Sequence, residues 1–308
     1  MERWTQAMRD GRFEDAWSLS QQALVLRDPA TRDDPGMPYH RRWVWDGRPF
    51  DERHVLVRCY HGLGDTLQFA RYLPYLAERA ASVVVEVHPR LVSLLRGIAG
   101  VERIIPFDPA HPAPPSECDI EICELAFALR LDPQAALAPY LSAPPAALPR
   151  GTIGLCYAAG DWDPDRSIPP ALLEPLCQGR TCITLVAEPT ALPLLNPAGC
   201  PFDIGATASL IASCALVITV DTMVAHLAGA LGRPTWLLLK SDPDWRWTPG
   251  ACGTPWYPAM RLFHQPCSGA WEPLLRDVEQ VLANSDVTQA GAIADDPPVH
   301  ALRPDLVG

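Results

Sequence analysis

Twice along this chain, short apolar runs alternate with stretches of helical spacing, and a proline-dense joint separates the two series. The first series has candidate strands at 54–60, 82–87, 101–105 and 118–122, with helices at 66–80 and 91–96. The second restarts at 152–157 and continues through 181–187, 215–220 and 235–239. Its helices are expected near 169–177, 207–213, 222–231 and 270–284. Apolar runs without polar alternation belong to strands covered on both faces, and strand–helix alternation makes neighbouring strands parallel. The pattern therefore predicts two parallel sheets wrapped by helices. Of the 34 prolines, nine fall in two dense stretches, 106–115 and 139–149, where connections rather than elements are expected.

Ahead of the first strand, residues 1–28 read as a helical hairpin. Trp4 and Ala7 lead to a turn at Asp10-Gly11-Arg12, after which Phe13, Ala16, Trp17, Ala23 and Leu24 recur at helical spacing. The hairpin resembles half of a tetratricopeptide repeat. One repeat cannot bury its own face, so it is expected to pack on the neighbouring strand–helix series. The expected division is the hairpin at 1–28, one Rossmann-like domain at 29–150, a second at 151–284, and a polar, mobile tail at 285–308.

Charge and composition exclude several functions. A formal net charge of -11 leaves no basic face for nucleic acid. No apolar run reaches the ~18 residues of a membrane span, and the first 20 residues carry no signal-peptide core, so a soluble cytoplasmic chain is expected. The ten cysteines form no CxxC pair, which predicts buried, reduced thiols rather than a zinc site.

Three motifs fall where strands give way to helices. In His61-Gly62-Leu63-Gly64-Asp65-Thr66, the glycines permit a tight turn and close approach of a substrate. Asp65 is then either a helix cap or a general base. In Asp221-Thr222-Met223-Val224-Ala225-His226, the helix N-terminus suits a diphosphate, with Asp221 as an alternative cap and His226 as an alternative core histidine. Arg166, within Asp163-Pro164-Asp165-Arg166-Ser167, is either a loop salt bridge or a bidentate grip on phosphate. Gly62-x-Gly64 followed by Glu86 imitates a dinucleotide fingerprint, but Leu67 stands at the third glycine and Glu86 lies inside its strand.

In order and spacing, the three motifs together resemble glycosyltransferase family 9, which contains the ADP-heptose:lipopolysaccharide heptosyltransferases. The stretches 62–75 and 226–239, with Asp244-Trp245-Arg246-Trp247 and Pro255-Trp256-Tyr257-Pro258, are similar to the form of that domain found after tetratricopeptide repeats in bacterial proteins. The resemblance implies a GT-B fold, α/β, with two Rossmann-like domains facing a cleft. It also implies an inverting, metal-independent glycosyltransferase that needs no cofactor beyond a nucleotide-sugar donor, ADP-linked by analogy. Asp65 matches the residue that activates the acceptor hydroxyl, and Arg166 the one that steadies the departing diphosphate. Gly62, Gly64, Asp221, Thr222, Met223, Val224 and His226 match donor-binding positions, and Glu188 a ribose contact. Trp245, Trp247, Trp256 and Tyr257 read equally as a stacking platform or as buried supports. The implied acceptor is a glycan, lipid or protein, with peripheral membrane association left open. The alternatives are a non-catalytic nucleotide- or glycan-binding module and a GT-B-type nucleotide-sugar epimerase.

Overall fold

The computed structural model describes residues 2–136, 138–161 and 163–284. The tail expected at 285–308 lies outside the described residues. The chain divides into two compact units: Met1–Ala143 with Asp203–Gly205, and Pro144–Phe202 with the remainder. The boundary thus falls ahead of the expected residue 150, and the hairpin belongs to the first unit.

In the first unit, the hairpin is α1 (Glu2–Arg9) and α2 (Phe13–Leu26). Leu24 packs beside Gly47, and ion pairs add to the hairpin's contact with the rest of its unit, with Arg130 3.1 Å from Glu14 and Arg27 3.4 Å from Glu124. Next come β1 (His54–Arg58), α3 (Leu63–Phe69), α4 (Leu73–Ala77) and β2 (Ser82–Val87). The unit closes with α5 (Val92–Leu95), β3 (Arg103–Pro106), β4 (Cys118–Glu121) and α6 (Leu125–Leu129). The helix expected at 66–80 is in fact two helices joined by a 3-10 turn at Ala70–Tyr72. Pro74, in the first turn of α4, explains the break, since it brings no N–H for the carbonyl one turn earlier.

All pairings in the first sheet are parallel, in the order β3-β2-β1-β4. The chain works outward from β1 through β2 to β3 and then returns to the other side of β1. The edge strand β3 is partly exposed, whereas β4 is buried throughout. At the end of β1, buried Arg58 bridges its neighbours, 2.7 Å from Asp119 of β4 and 3.1 Å from Glu86 of β2. Glu86, the residue that completes the dinucleotide-like pattern, is thus spent inside the sheet.

The second unit contains β5 (Ile153–Cys156), α7 (Glu174–Cys177), β6 (Cys182–Thr184), α8 (Ile204–Ser213) and β7 (Leu216–Val220). It continues through α9 (Met223–Ala230), β8 (Thr235–Leu239), β9 (Met260–His264) and α10 (Trp271–Asn284). Its sheet is also wholly parallel, in the order β6-β5-β7-β8-β9, and reverses between β5 and β7. Strands β5, β7 and β8 are buried along their whole length, as unalternating apolar runs require. Strand β9 is an addition to the expected set. Strand β6 stops short of residue 187, because the Asn196 side chain takes over the backbone of Thr184, accepting its N–H at 2.8 Å and donating to its carbonyl at 2.9 Å.

Two parallel-sheet, Rossmann-like units make the fold α/β of the GT-B class. Among the ten cysteines, seven are buried and all are free, as small apolar side chains would be. No described helix is long and apolar enough to cross a membrane.

Candidate functional site

A parallel sheet whose strand order reverses leaves a crevice at the carboxyl ends of the two strands where it turns back, and ligands collect there. Each unit has one such point, and each sequence motif lies at one of them.

In the first unit the reversal lies between β1 and β4. Beyond β1, Gly62 caps α3 with φ -65°, and neither Gly62 nor Gly64 has a left-handed φ. Neither glycine therefore supplies a left-handed turn, and at Gly62 the constraint is space. The Gly62 N–H donates to Asp65 Oδ2 at 3.0 Å, and a Cβ on Gly62 would stand 3.2 Å from that oxygen. Asp65 is the third helical residue rather than the first, half-buried, and its carboxylate folds back over the helix start.

Glu121, at the end of β4, was not singled out by the sequence. It is 2% exposed, and its Oε1 accepts the Tyr60 N–H at 3.2 Å and lies 2.9 Å from His61 Nδ1. Its Oε2 accepts the Cys123 N–H at 2.7 Å. His61, Glu121 and Cys123 bring possible metal-ligating atoms within 4.8 Å of one another. Both Glu121 oxygens take hydrogen bonds, which hold this cluster together as a network.

In the second unit the reversal lies between β5 and β7, whose following loops carry Arg166 and Asp221. The structure joins these two: Arg166 Nη1 donates to the Asp221 carbonyl at 2.6 Å. Arg166 is buried and also lies 3.5 Å from the Asp163 carboxylate. The cap of α9 is Thr222 rather than Asp221, its hydroxyl accepting the Val224 N–H at 3.2 Å. The Asp221 carboxyl, 8% exposed, is freed from that task. Burial, with Asp244 nearby, raises it to about 6 against the opposing pull of Arg246 and Arg166. Met223 is half-buried and Val224 buried in the first turn of α9.

His226 lies behind this turn, not in it. It is buried, its Nδ1 is 3.0 Å from the Tyr257 hydroxyl, and its ring stacks on Trp247 at 5.7 Å. Gly229, one turn further along α9, admits the Tyr257 ring; a Cβ there would overlap it. Trp247, Trp256 and Tyr257 are thus buried supports. Trp245 is half-buried, edge-on to Trp256 at 6.0 Å, with the Arg246 guanidinium 4.3 Å from its ring centre. Glu188 is exposed beyond the end of β6. A cavity of about 200 Å³ opens among Asp163, Arg166, Asp221, Lys240, Asp242 and Asp244.

The model of glycosyltransferase family 9 (heptosyltransferase) matches residues 199–251, which contain Asp221, Thr222 and His226. Protein FlbA of Caulobacter vibrioides is 25% identical over 329 residues, an alignment covering 88% of this chain and 52% of that protein. The chain thus spans about half the length of the curated relative it matches. A family 9 glycosyl transferase from Veillonella parvula superposes with a TM-score of 0.53 at 12% identity, covering 77% of this chain and 99% of the other. The E. coli heptosyltransferase WaaC with ADP gives a TM-score of 0.52 at 14% identity, covering 75% and 99%. By sequence in the segment that forms α9 and its approach, and by fold over most of its length, the chain resembles glycosyltransferase family 9.

Proposed function

We propose that this protein transfers a sugar from a nucleoside diphosphate donor, ADP-linked by analogy with the WaaC complex, to a hydroxyl of a glycan, lipid or protein. The transfer proceeds with inversion and without a metal. The observation that carries the reading is the union of Arg166 with Asp221 where the second sheet reverses, beside the start of α9. The start of α9 at Thr222 and Met223 and the Arg166 guanidinium together supply the positive potential that a departing diphosphate needs. His226 positions this helix start through its packing, and Glu188 is assigned to the ribose.

Asp65 is assigned the proton of the acceptor hydroxyl, with Gly62 and Gly64 giving the substrate room. As the proton passes to Asp65, the acceptor oxygen bonds to the anomeric carbon and the bond to the diphosphate breaks. Inversion follows because the hydroxyl enters opposite the leaving group.

The test begins with melting curves of the protein in ADP, UDP, GDP and NAD. A ligand at a hundred times its dissociation constant adds about 2.7 kcal/mol of stability. A shift with one nucleoside diphosphate is expected, followed by its release from the matching nucleotide sugar across an acceptor panel, in EDTA as well as without it. A shift with NAD alone would overturn the reading. The bond between Asp65 and the Gly62 N–H favours a second reading, a binding module in which Asp65 only secures the start of α3. Nucleotide binding without turnover on any acceptor would select it.

A further inference from the structure

The cavity at the second reversal has a charge balance that opposes its proposed ligand. Its lining brings two cations, Arg166 and Lys240, against the carboxyl groups of Asp163, Asp221, Asp242 and Asp244. A diphosphate entering it would meet more negative than positive charge. The four acids are not equivalent, however. Asp244 is held by Arg246 at 2.7 Å, and Asp221 is buried in the wall. Asp242 is exposed at the rim.

Asp163 differs from all three. One of its oxygens, Oδ2, lies 2.8 Å from Lys240 Nζ and 3.5 Å from Arg166 Nε. It sits on the loop after β5, ahead of a single 3-10 turn (Pro164–Arg166), not within a sheet or long helix. Lys240 follows directly on β8, the strand beside β7, so it approaches the cavity from the side opposite the β5 loop. The carboxylate thus occupies the place between two cations that a phosphate oxygen would take.

We propose that Lys240 is a binding residue for the donor diphosphate and that Asp163 is its internal stand-in, displaced when the diphosphate arrives. This assignment rests on the nucleotide-sugar reading above. In the unliganded protein Asp163 pairs with both cations and keeps them aligned. On binding, the phosphate oxygens replace its carboxylate on Lys240 and Arg166, and the Asp163 side chain turns away from the two cations while Arg166 stays anchored on the Asp221 carbonyl. One negative charge leaves the cavity as the ligand enters, which reduces the repulsion from the remaining acids.

The experiment is titration calorimetry of the whole protein with ADP, UDP and GDP, with the matching nucleoside as a control lacking phosphate. Against the best diphosphate, Lys240→Met is expected to weaken binding roughly ten- to hundredfold, as loss of a charge-assisted bond does. Nucleoside binding is expected to stay unchanged, and Lys240→Arg to restore most of the loss. Asp163→Asn is expected to tighten diphosphate binding several-fold, because its competing charge is gone. Lys240→Met binding the diphosphate as tightly as the parent protein would overturn the assignment, and Asp163→Asn binding it no more tightly would overturn the stand-in. A parent protein that binds none of the three diphosphates would instead remove the nucleotide-sugar reading, and this assignment with it.

Discussion

The two reversal points use one plan and finish it differently. In each, a buried parallel strand runs out into a turn, a helix starts, and an aspartate lies within the first residues. At the first point the aspartate, Asp65, sits inside the helix and folds back onto Gly62, with half-exposed His61 beside buried Glu121. At the second, Asp221 precedes the cap and is buried, and its carbonyl is held by Arg166. Behind the second helix stands a stack of His226, Trp247 and Tyr257. The first turn is therefore open and held by a few polar bonds, whereas the second is closed and braced by aromatic packing. Similar motifs in sequence do not imply similar rigidity; the packing behind the helix decides it.

The largest expected effect tests the bracing. Trp247 is fully buried, so Trp247→Ala should cost about 3–5 kcal/mol in chemical denaturation. His61→Ala, at the open turn, should cost less than about 1 kcal/mol. Equal losses at the two positions would erase the distinction between an open and a braced turn.

A middle-sized effect comes from pH. Asp221 titrates at about 6 in the folded protein against an ordinary 3.8, so the folded state holds this proton more tightly than the unfolded chain. The resulting stabilisation is complete below the unfolded value and is lost as pH rises through about 6, on the order of 3 kcal/mol in all. Denaturation midpoints measured from pH 4 to pH 7 should show this decline, and Asp221→Asn should flatten that part of it. Glu124, in the first unit, is raised to about 7 by burial and should add a later decline of the same sign. Glu124→Gln should remove that portion, so the two variants separate the units.

The smallest effect lies at the open turn. Asp65→Asn keeps an oxygen for the Gly62 N–H and should change stability by less than about 1 kcal/mol. If Asp65 takes the acceptor proton, the same variant should bind donor normally and lose transfer by a hundredfold or more, roughly the contribution of a general base. Near-normal transfer by this variant would leave Asp65 as purely structural.

Much of the architecture was legible because fully buried strands read as unbroken apolar runs. The strand at 260–264 was not, because it lies between Pro258 and Pro266 in a stretch that reads as a loop. Local spacing found Asp65, Arg166 and Asp221, but it could not say which of them caps a helix. That depends on where the first turn starts, and Thr222 and Gly62 took the caps. Glu121 and Lys240 escaped for another reason. Their partners, His61 and Asp163, lie far away in the chain and become neighbours only through the order of strands in each sheet.

Lys240 is the only lysine in the sequence. Apart from an α-amino group, an amine-directed acylating reagent therefore has one place to react, and that place is the ion pair with Asp163. The chemistry of a single side chain thus becomes a reporter for the whole cavity. Its labelling rate, read as one mass increment on the intact protein, measures how often the pair opens without any engineered probe.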